Sequence, residues 1–503
     1  MIYIKNFLHF IRPESAKIFS LMWVAVILFG PATSSAQEEK PQTHPNPNII
    51  LIMVDDMGYG DPQCYNPDSK IPTPHIDSLA AGGMRFTDAH SAGALCHPSR
   101  YGLLTGQYPF RANPGAWRTK ATIAPDRMTI ASLLKSADYH TAMVGKWHLG
   151  FDEKSYRDPL PGGPVDRGFD SFFGIRASTD IPPYFYIRDN MAVMPPDLTI
   201  EANNSEGWSP IQGAFWREGG ISPDLKLEEV LPKFTNEAVD VIHKHHKGME
   251  DAGDPLFLYL AYPAPHTPWL PSQEFIGKSG AGMYGDFMTM VDANIGNVLK
   301  ALRETDMEKN SLIIFTSDNG PVWYDEDVER LSHDSAGGLR GMKSDAWEAG
   351  HRMPFIVQWP GVVEAGSVCA ETIGFVDVLA TLADASGQKL PPDAGPDSIS
   401  FMPLLKQDFH GDGPFRSPLV VESGGGLMTI RTGPWKLIQG LGSGGFSTPR
   451  RIQPTPDGPK VQLYNLEIDP AELENRSLNH PDIVQALQHE LETITSASSS
   501  RKS

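Results

Sequence analysis

The feature that most constrains this chain is a series of short, unbroken apolar runs, each stopping at polar residues. Ile49-Ile50-Leu51-Ile52-Met53-Val54 ends at Asp55-Asp56, and Thr141-Ala142-Met143-Val144 runs into Gly145-Lys146-Trp147-His148. Leu256-Phe257-Leu258-Tyr259-Leu260 leads to Pro265-His266, and Leu312-Ile313-Ile314-Phe315-Thr316 leads to Asp318-Asn319. Phe355-Ile356-Val357 follows Lys343 and precedes Trp359-Pro360-Gly361. Strands that are apolar on both faces belong in a sheet covered on both sides. Between two of these runs, Val291, Ile295, Val298 and Leu302 share one helical face. The sequence therefore predicts an α/β fold with a large, mostly parallel sheet sandwiched by helices. Such sheets hold ligands outside the carboxyl ends of their strands. One Asp or Asn there is usually a turn or a helix cap. Four strand ends carrying Asp, Asn, Lys and His together mark a site.

Residues 48–410 read as the main domain and 411–495 as a smaller unit. In the latter, Leu419-Val420-Val421, Met428-Thr429-Ile430-Arg431, Trp435-Lys436-Leu437-Ile438 and Gln462-Leu463-Tyr464-Asn465-Leu466 suit an antiparallel sheet. A helix over Pro481 to Ile494 closes it, and the Ser-rich residues 496–503 read as a disordered tail. Residues 151–225 are rich in Gly, Pro and aromatics (Phe169, Phe172, Phe173, Tyr184, Tyr186, Trp208, Trp216) and read as loops walling a site, with irregular surface packing the alternative. At the amino terminus, Lys5, Arg12 and Lys17 precede an apolar run from Ile18 to Phe29, then Gly30-Pro31 and Ser34-Ser35-Ala36. This is the layout of a signal peptide over residues 1–36, followed by a flexible leader over 37–47. The run falls short of the ~20 residues a spanning helix needs. The expectation is export, periplasmic or secreted, without stable membrane insertion; a retained anchor is the alternative.

The chain carries 42 basic and 61 acidic residues, a net charge of −19. That excludes a nucleic-acid partner bound through a basic stripe. It also means that any site for an anionic substrate must gather its cations locally. Three cysteines (Cys64, Cys96, Cys369) are too few for a disulfide scaffold.

One of the three stands in Leu95-Cys96-His97-Pro98-Ser99-Arg100-Tyr101-Gly102-Leu103-Leu104-Thr105-Gly106. Pro98 suits the first turn of a helix, which places residue 96 where unpaired backbone N–H groups favour anions. Arg100 is spaced to fold back over that end. The other reading is a buried structural cysteine before an ordinary helix. Asp55, Asp56, Asp318 and Asn319 offer only oxygens, which selects a hard cation such as Ca²⁺ or Mg²⁺. Zinc would draw on His or Cys.

The Cys96 segment resembles the signature of type I sulfatases, of the alkaline-phosphatase superfamily. Gly145-Lys146-Trp147-His148-Leu149-Gly150 matches that family's GKWHLG, and Pro265-His266-Thr267-Pro268 its PHxP. Gly341-Met342-Lys343-Ser344-Asp345-Ala346-Trp347-Glu348-Ala349-Gly350 follows GGKxxxWEGG, with Met342 and Ala349 in place of glycines. The stretch from Leu463 to Pro481 is similar to the family's LYDLxxDPxExxNL. The matches run in motif order over nearly all of the chain after residue 45.

The resemblance implies an alkaline-phosphatase-like fold and hydrolysis of sulfate monoesters, either aryl sulfates or sulfated carbohydrates. It implies that a formylglycine-generating or radical maturation enzyme oxidises Cys96 to formylglycine (3-oxoalanine). One hydroxyl of the hydrated aldehyde would attack sulfur, and the other would later expel sulfate. Asp55, Asp56, Asp318 and Asn319 would hold one Ca²⁺, with Mg²⁺ the alternative, and residue 96 would also contact it. Arg100 would help stabilise the alkoxide, Lys146 and Lys343 would bind sulfate, His266 would be the general acid and His148 the base. With Cys96 set aside, a Cys64–Cys369 bridge is arithmetically open. His351, Arg352, His333 and Asp334 are candidates for sugar contacts, balanced against purely structural roles. Two other functions remain: a formylglycine-dependent phosphonate or phosphodiester hydrolase, and a non-catalytic binder of sulfated glycans.

Overall fold

Asn48–Asp55 forms β1, and all of its side chains are buried, as the unbroken apolar run requires. The computed structural model describes residues 46–501, apart from 412 and 417 and the side chains of 249–252. The stretch read as a signal peptide and most of the expected leader fall outside the described residues. In chain order the other strands are β2 (Met84–His90), β3 (His140–Lys146), β4 (Ser171–Ile175), β5 (Tyr186–Arg188), β6 (Met191–Ala192), β7 (Leu198–Ile200), β8 (Gly219–Ile221), β9 (Leu256–Pro265), β10 (Ser311–Ser317), β11 (Arg352–Gln358), β12 (Ser367–Cys369), β13 (Ile373–Gly374), β14 (Leu419–Glu422), β15 (Met428–Thr432), β16 (Trp435–Ile438) and β17 (Gln462–Asn465). The helices are α1 (Pro74–Ala81), α2 (Cys96–Thr105), α3 (Ile130–Lys135), α4 (Val230–Ala252), α5 (Gly282–Glu304), α6 (Asp325–Leu331), α7 (Val378–Ala385), α8 (Met402–Leu405) and α9 (Pro481–Ser496).

The large sheet has the order β12-β2-β11-β10-β1-β9-β3-β4-β5-β6, with β13 also paired to β2. Its centre, β10-β1-β9-β3-β4, is parallel throughout. β11, which contains the apolar run at Phe355–Val357, is antiparallel to both neighbours, so the sheet is mixed. The reason is local. A parallel return needs a crossover along the sheet face, whereas residues 318–351 carry only the seven-residue α6 and one 3₁₀ turn at Glu348–Gly350, and turn straight back. That reversal keeps Asp318, Lys343 and the start of β11 at one edge.

Alternate residues of β1 feed two cores. Ile49, Leu51 and Met53 pack with Phe86, Leu103, Leu133 and Leu379 on one face. Ile50, Ile52 and Val54 pack with Ile242, Ile295, Val298 and Leu302 on the other. Each such side chain contributes about 1.5–3 kcal/mol by leaving water. The smaller sheet, β14-β15-β16-β17, is antiparallel as expected. Its Val420, Ile430, Leu437 and Leu463, together with Leu487 and Leu491 of α9, join the first of the two cores.

Three expectations need correction. Cys64, Cys96 and Cys369 are all free thiols, so no Cys64–Cys369 bridge exists. Of the aromatics expected to wall a site, Phe169, Phe172, Phe173, Tyr184 and Tyr186 are buried core instead, because their area is worth more out of water. The serine-rich end is pinned rather than loose over residues 499–501. Ser499 Oγ donates to Pro396 O at 2.6 Å, Ser500 Oγ to Asp397 Oδ1 at 2.7 Å and Arg501 Nη2 to Pro391 O at 2.8 Å. No helix among the described residues is long and apolar enough to cross a membrane.

Candidate active site

The parallel centre of the sheet brings the polar strand ends together. Val54 of β1 pairs with Ser317 of β10, so Asp55-Asp56 and Asp318-Asn319 leave the sheet side by side. Lys146 ends β3, and His266 follows β9, which lies between β1 and β3. Gly145 has φ +120°, and a Cβ on it would lie 1.9 Å from Ala261 O of β9. Only glycine lets the backbone approach this closely just before Lys146. Helix α2 begins at Cys96 with no side-chain cap, which leaves its first N–H groups without a capping side chain.

The contacts form one buried cluster of opposite charges. Cys96 Sγ lies 3.5 Å from Asp55 Oδ1 and accepts from Lys343 Nζ at 3.3 Å. Lys343 Nζ is also 2.5 Å from Asp56 Oδ1, and Lys146 Nζ ion-pairs with Asp55. Arg100 Nε donates to Asp318 Oδ2 at 2.9 Å, and its Nη1 donates to Lys146 O at 3.0 Å. Arg100 therefore braces the carboxylates from beneath rather than capping residue 96. Burial pushes the Asp55 carboxyl up, but Lys146, His266, Arg100 and Lys343 outweigh it and hold the group well below the usual range. Burial and then Asp55 push the Cys96 thiol up, so the encoded side chain is a protonated, poor nucleophile at neutral pH.

The two histidines differ in how they are held. His266 Nδ1 donates to Thr267 O at 2.7 Å, because a carbonyl can only accept. That fixes the tautomer and turns Nε2 toward Asp56 Oδ2, 3.7 Å away. His148 sits at φ +59° with both ring nitrogens buried and unpartnered. Trp117 meets its ring edge-on at 4.2 Å between centroids, and His97 lies 5.7 Å away. Burial, with Lys146 and His97 adding to it, holds His148 well below 6.5. His97 is pushed down to about 4 by burial and by Lys146 and Lys343. Both rings are therefore neutral at pH 7.

The carboxylate and amide oxygens of this cluster suit a hard cation, while Cys96 and His266, which lie within the same reach, are the donor types zinc draws on. Ligand atoms of Asp55, Asp56, Cys96 and His266 lie within 4.8 Å of one another. Asn319 Nδ2 donates to Asp56 Oδ1 at 2.6 Å, while Asn319 Oδ1 is buried with no partner. A buried amide oxygen without a donor is costly, and an oxygen-seeking ion would satisfy it. A second grouping, His90, Glu348 and His351, does not suit a cation, because Lys436 and Arg352 already pair with Glu348.

The four candidates for sugar contacts take the structural roles that are the other reading. His333 is buried, with Nε2 2.9 Å from Asp61 Oδ1. Asp334 accepts from the backbone N–H groups of Ala336 and Gly338 and shapes a turn. His351 Nδ1 meets His90 Nδ1 at 2.9 Å, and Arg352 pairs with Asp88 at 2.5 Å and Glu348 at 2.9 Å. Their short range to oppositely charged or polar partners holds them in the interior. The residues that flank His148 and His266 are instead His97, Trp117, Arg118, Arg176, Asp180 and Arg217, none singled out by sequence. Arg176 directly follows β4, so the strand-end rule extended by one strand would have found it; Trp117-Arg118, on a short 3₁₀ turn, gave no signal.

A sulfatase family model matches residues 47–388. An N-acetylgalactosamine-6-O-sulfatase of Bacteroides thetaiotaomicron is 34% identical, over 93% of this chain and 97% of its own length. Human arylsulfatase A is also 34% identical, over 78% of this chain and 74% of its own. A solved Bacteroides thetaiotaomicron structure, from work on the metabolism of multiple glycosaminoglycans, superposes with a TM-score of 0.78 at 32% identity, covering 90% of this chain and all of that one. The strand-end cluster, the family model and relatives matched along most of their length agree: the chain belongs to the sulfatase family and is a sulfuric ester hydrolase.

Proposed function

We propose that this sulfatase is exported and desulfates sulfated carbohydrates, using formylglycine made from Cys96 by a maturation enzyme and one Ca²⁺ held by Asp55, Asp56, Asp318 and Asn319. The observation that carries this reading is the seat of residue 96, between Lys343 Nζ and the Asp55 carboxylate at the start of α2. The carbohydrate preference is supported by relatives named for N-acetylgalactosamine sulfate. The export reading rests on the amino-terminal sequence.

Hydrated formylglycine would supply two hydroxyls on one carbon, and Ca²⁺ would supply positive charge that lowers their pKa. The chain's own residues do the rest. Lys146 and Lys343, each now resting on a carboxylate, turn to the sulfate oxygens. Arg100, wholly buried, pairs with Asp318 at 2.7 Å and lies 3.6 Å from Asp55, and so fixes both carboxylates. His266, whose Nδ1–H stays on Thr267 O, would serve as general acid in its doubly protonated form, giving the Nε2 proton to the leaving oxygen and reverting to the Nδ1–H tautomer. His148, neutral and unpartnered, takes up a proton as sulfate departs. Residues 48–410 act as the catalytic domain. Residues 411–495 prop the Lys343 loop, through Gly424 N–H to Ser344 O at 2.8 Å and Ala346 N–H to Ser443 O at 2.7 Å.

The test is the mass of the Cys96 peptide from active protein, alongside turnover of aryl sulfates and sulfated sugars. The aldehyde mass should be present, and Cys96→Ser should release no more than one equivalent of alcohol per chain. Many turnovers by Cys96→Ser, or full activity with an unaltered thiol, would overturn the reading.

A further inference from the structure

Beside the two histidines, three arginines crowd one end of the site in a chain of net charge −19. The Arg118 guanidinium lies 4.5 Å over the Trp117 ring, and Arg176 lies 5.7 Å from the same ring. Trp117 is the residue whose edge meets His148. Arg217 donates to Asp180 O at 3.1 Å and ion-pairs with the Asp180 carboxylate. The other oxygen of that carboxylate, Oδ1, is buried, lacks a hydrogen-bond partner and lies 3.9 Å from His266 Nδ1. The rim thus touches both histidines, one through Trp117 and the other through Asp180.

The charges on this rim do not cancel. Arg176 is matched by Glu153 and Arg217 by Asp180. Arg118 is exposed and makes no side-chain hydrogen bond or ion pair among the described residues. Arg217 and Arg176 lie close enough to hold the Arg118 pKa down, second only to its own partial burial. Like charges brought together at a mouth cost free energy, which an arriving anion recovers. Planar guanidinium groups with free N–H donors fit a carboxylate or sulfate. The sulfate to be cleaved is already provided for by Lys146 and Lys343, so the arginine rim is surplus to it.

We propose that Arg118 and Arg217 form a subsite for a second oxyanion, a carboxylate or a further sulfate ester, on the sugar that carries the scissile sulfate or on its neighbour. The substrate class is then a polyanionic glycan rather than a neutral sugar with one sulfate. This rests on the reading of the protein as a carbohydrate sulfatase.

The test uses full-length protein with the residue-96 aldehyde confirmed, and three substrates. They are a neutral sugar bearing one sulfate, the same sulfated sugar linked to a uronate, and a disulfated sugar. The second anion should raise kcat/KM at least tenfold over the neutral substrate, mostly through KM, and added salt should erode that ratio. Arg118→Ala should remove most of the preference, with Arg118→Lys keeping part of it, and Arg217→Ala should act in the same direction. Thermal unfolding identifies any variant that has lost its fold; Arg118, exposed, is the primary probe. A response confined to the uronate or to the disulfated sugar assigns the anion. Equal rate factors on all three substrates in Arg118→Ala, or no preference in the unaltered protein, overturn the subsite. Failure of the unaltered protein on every sulfated sugar overturns the carbohydrate reading instead.

Discussion

Two regions of this molecule are built from the same materials and do opposite things. At the carboxyl edge of β1, β3, β9 and β10, aspartates, lysines, an arginine and histidines pack out of water. Between β2, β11 and the small sheet, so do Asp88, His90, Glu348, His351, Arg352, Arg431, Lys436 and Glu472. In the second region each charge has an ion-pair partner, and the two histidines answer each other. In the first, both nitrogens of His148 and Asn319 Oδ1 have neither a hydrogen bond nor an ion pair. Glu348 Oε2, Arg352 Nε and Glu472 Oε1 of the second also lack a hydrogen bond, but each faces an opposite charge at 2.9 Å. Unmet capacity, not residue type, separates the reactive cluster from the structural one. An unsatisfied buried group costs on the order of 1–3 kcal/mol, tolerable where a substrate or ion will meet it.

The contrast can be broken first at residue 96. Cys96→Ala should lower sulfate-ester turnover by about 10⁴-fold or more, while calorimetry shows the melting temperature little changed. A collapse of the fold would move Cys96 into the structural class. Glu348→Ala should do the reverse. Removing a partner of Lys436 and Arg352 should cost about 3–5 kcal/mol by denaturant titration, while kcat of the surviving folded protein stays near its original value. Loss of kcat at unchanged stability would erase the distinction.

Metal removal is a smaller perturbation with a clear direction. Chelation should abolish activity and lower stability, and Ca²⁺ at 100 times its Kd should restore about 2.7 kcal/mol. Activity persisting through exhaustive chelation would exclude the cation. The smallest effect concerns pH. Burial, with Lys436 adding to it, holds His351 well below 6.5, and burial likewise lowers His90. Below pH 6.5 the unfolded chain takes up protons that these rings refuse, so stability falls with acidification by up to about 1.4 kcal/mol per pH unit for each ring. Glu472, raised to about 7 by burial, works the other way. The informative quantity is therefore the difference between the native protein and His351→Gln, whose stability should fall less steeply between pH 7 and 5.5.

The clustering of polar strand ends was legible because its signal is local. An apolar run followed by Asp-Asp, Lys-Trp-His or Asp-Asn announces both a strand and what lies at its end. The paired network was not, because Asp88 and Arg431 meet across 343 positions of chain and no short motif encodes that meeting. His351 and His333 show the limit: a histidine looks the same in sequence whether it awaits a substrate or has found a carboxylate. The direction of β11 was hidden for a similar reason. An apolar run reports burial, while its polarity is set by residues 318–351, which turn back instead of crossing the sheet.

Cys96 retains only 4% of its surface once folded, with Lys343 arriving 247 residues later in the chain to close over it. Any enzyme that must grasp that side chain works against a clock, since folding removes its target. On the proposed conversion of Cys96, the specific activity of a preparation would record a race between two rates, and slowing the fold would raise the active fraction without altering one residue of the site.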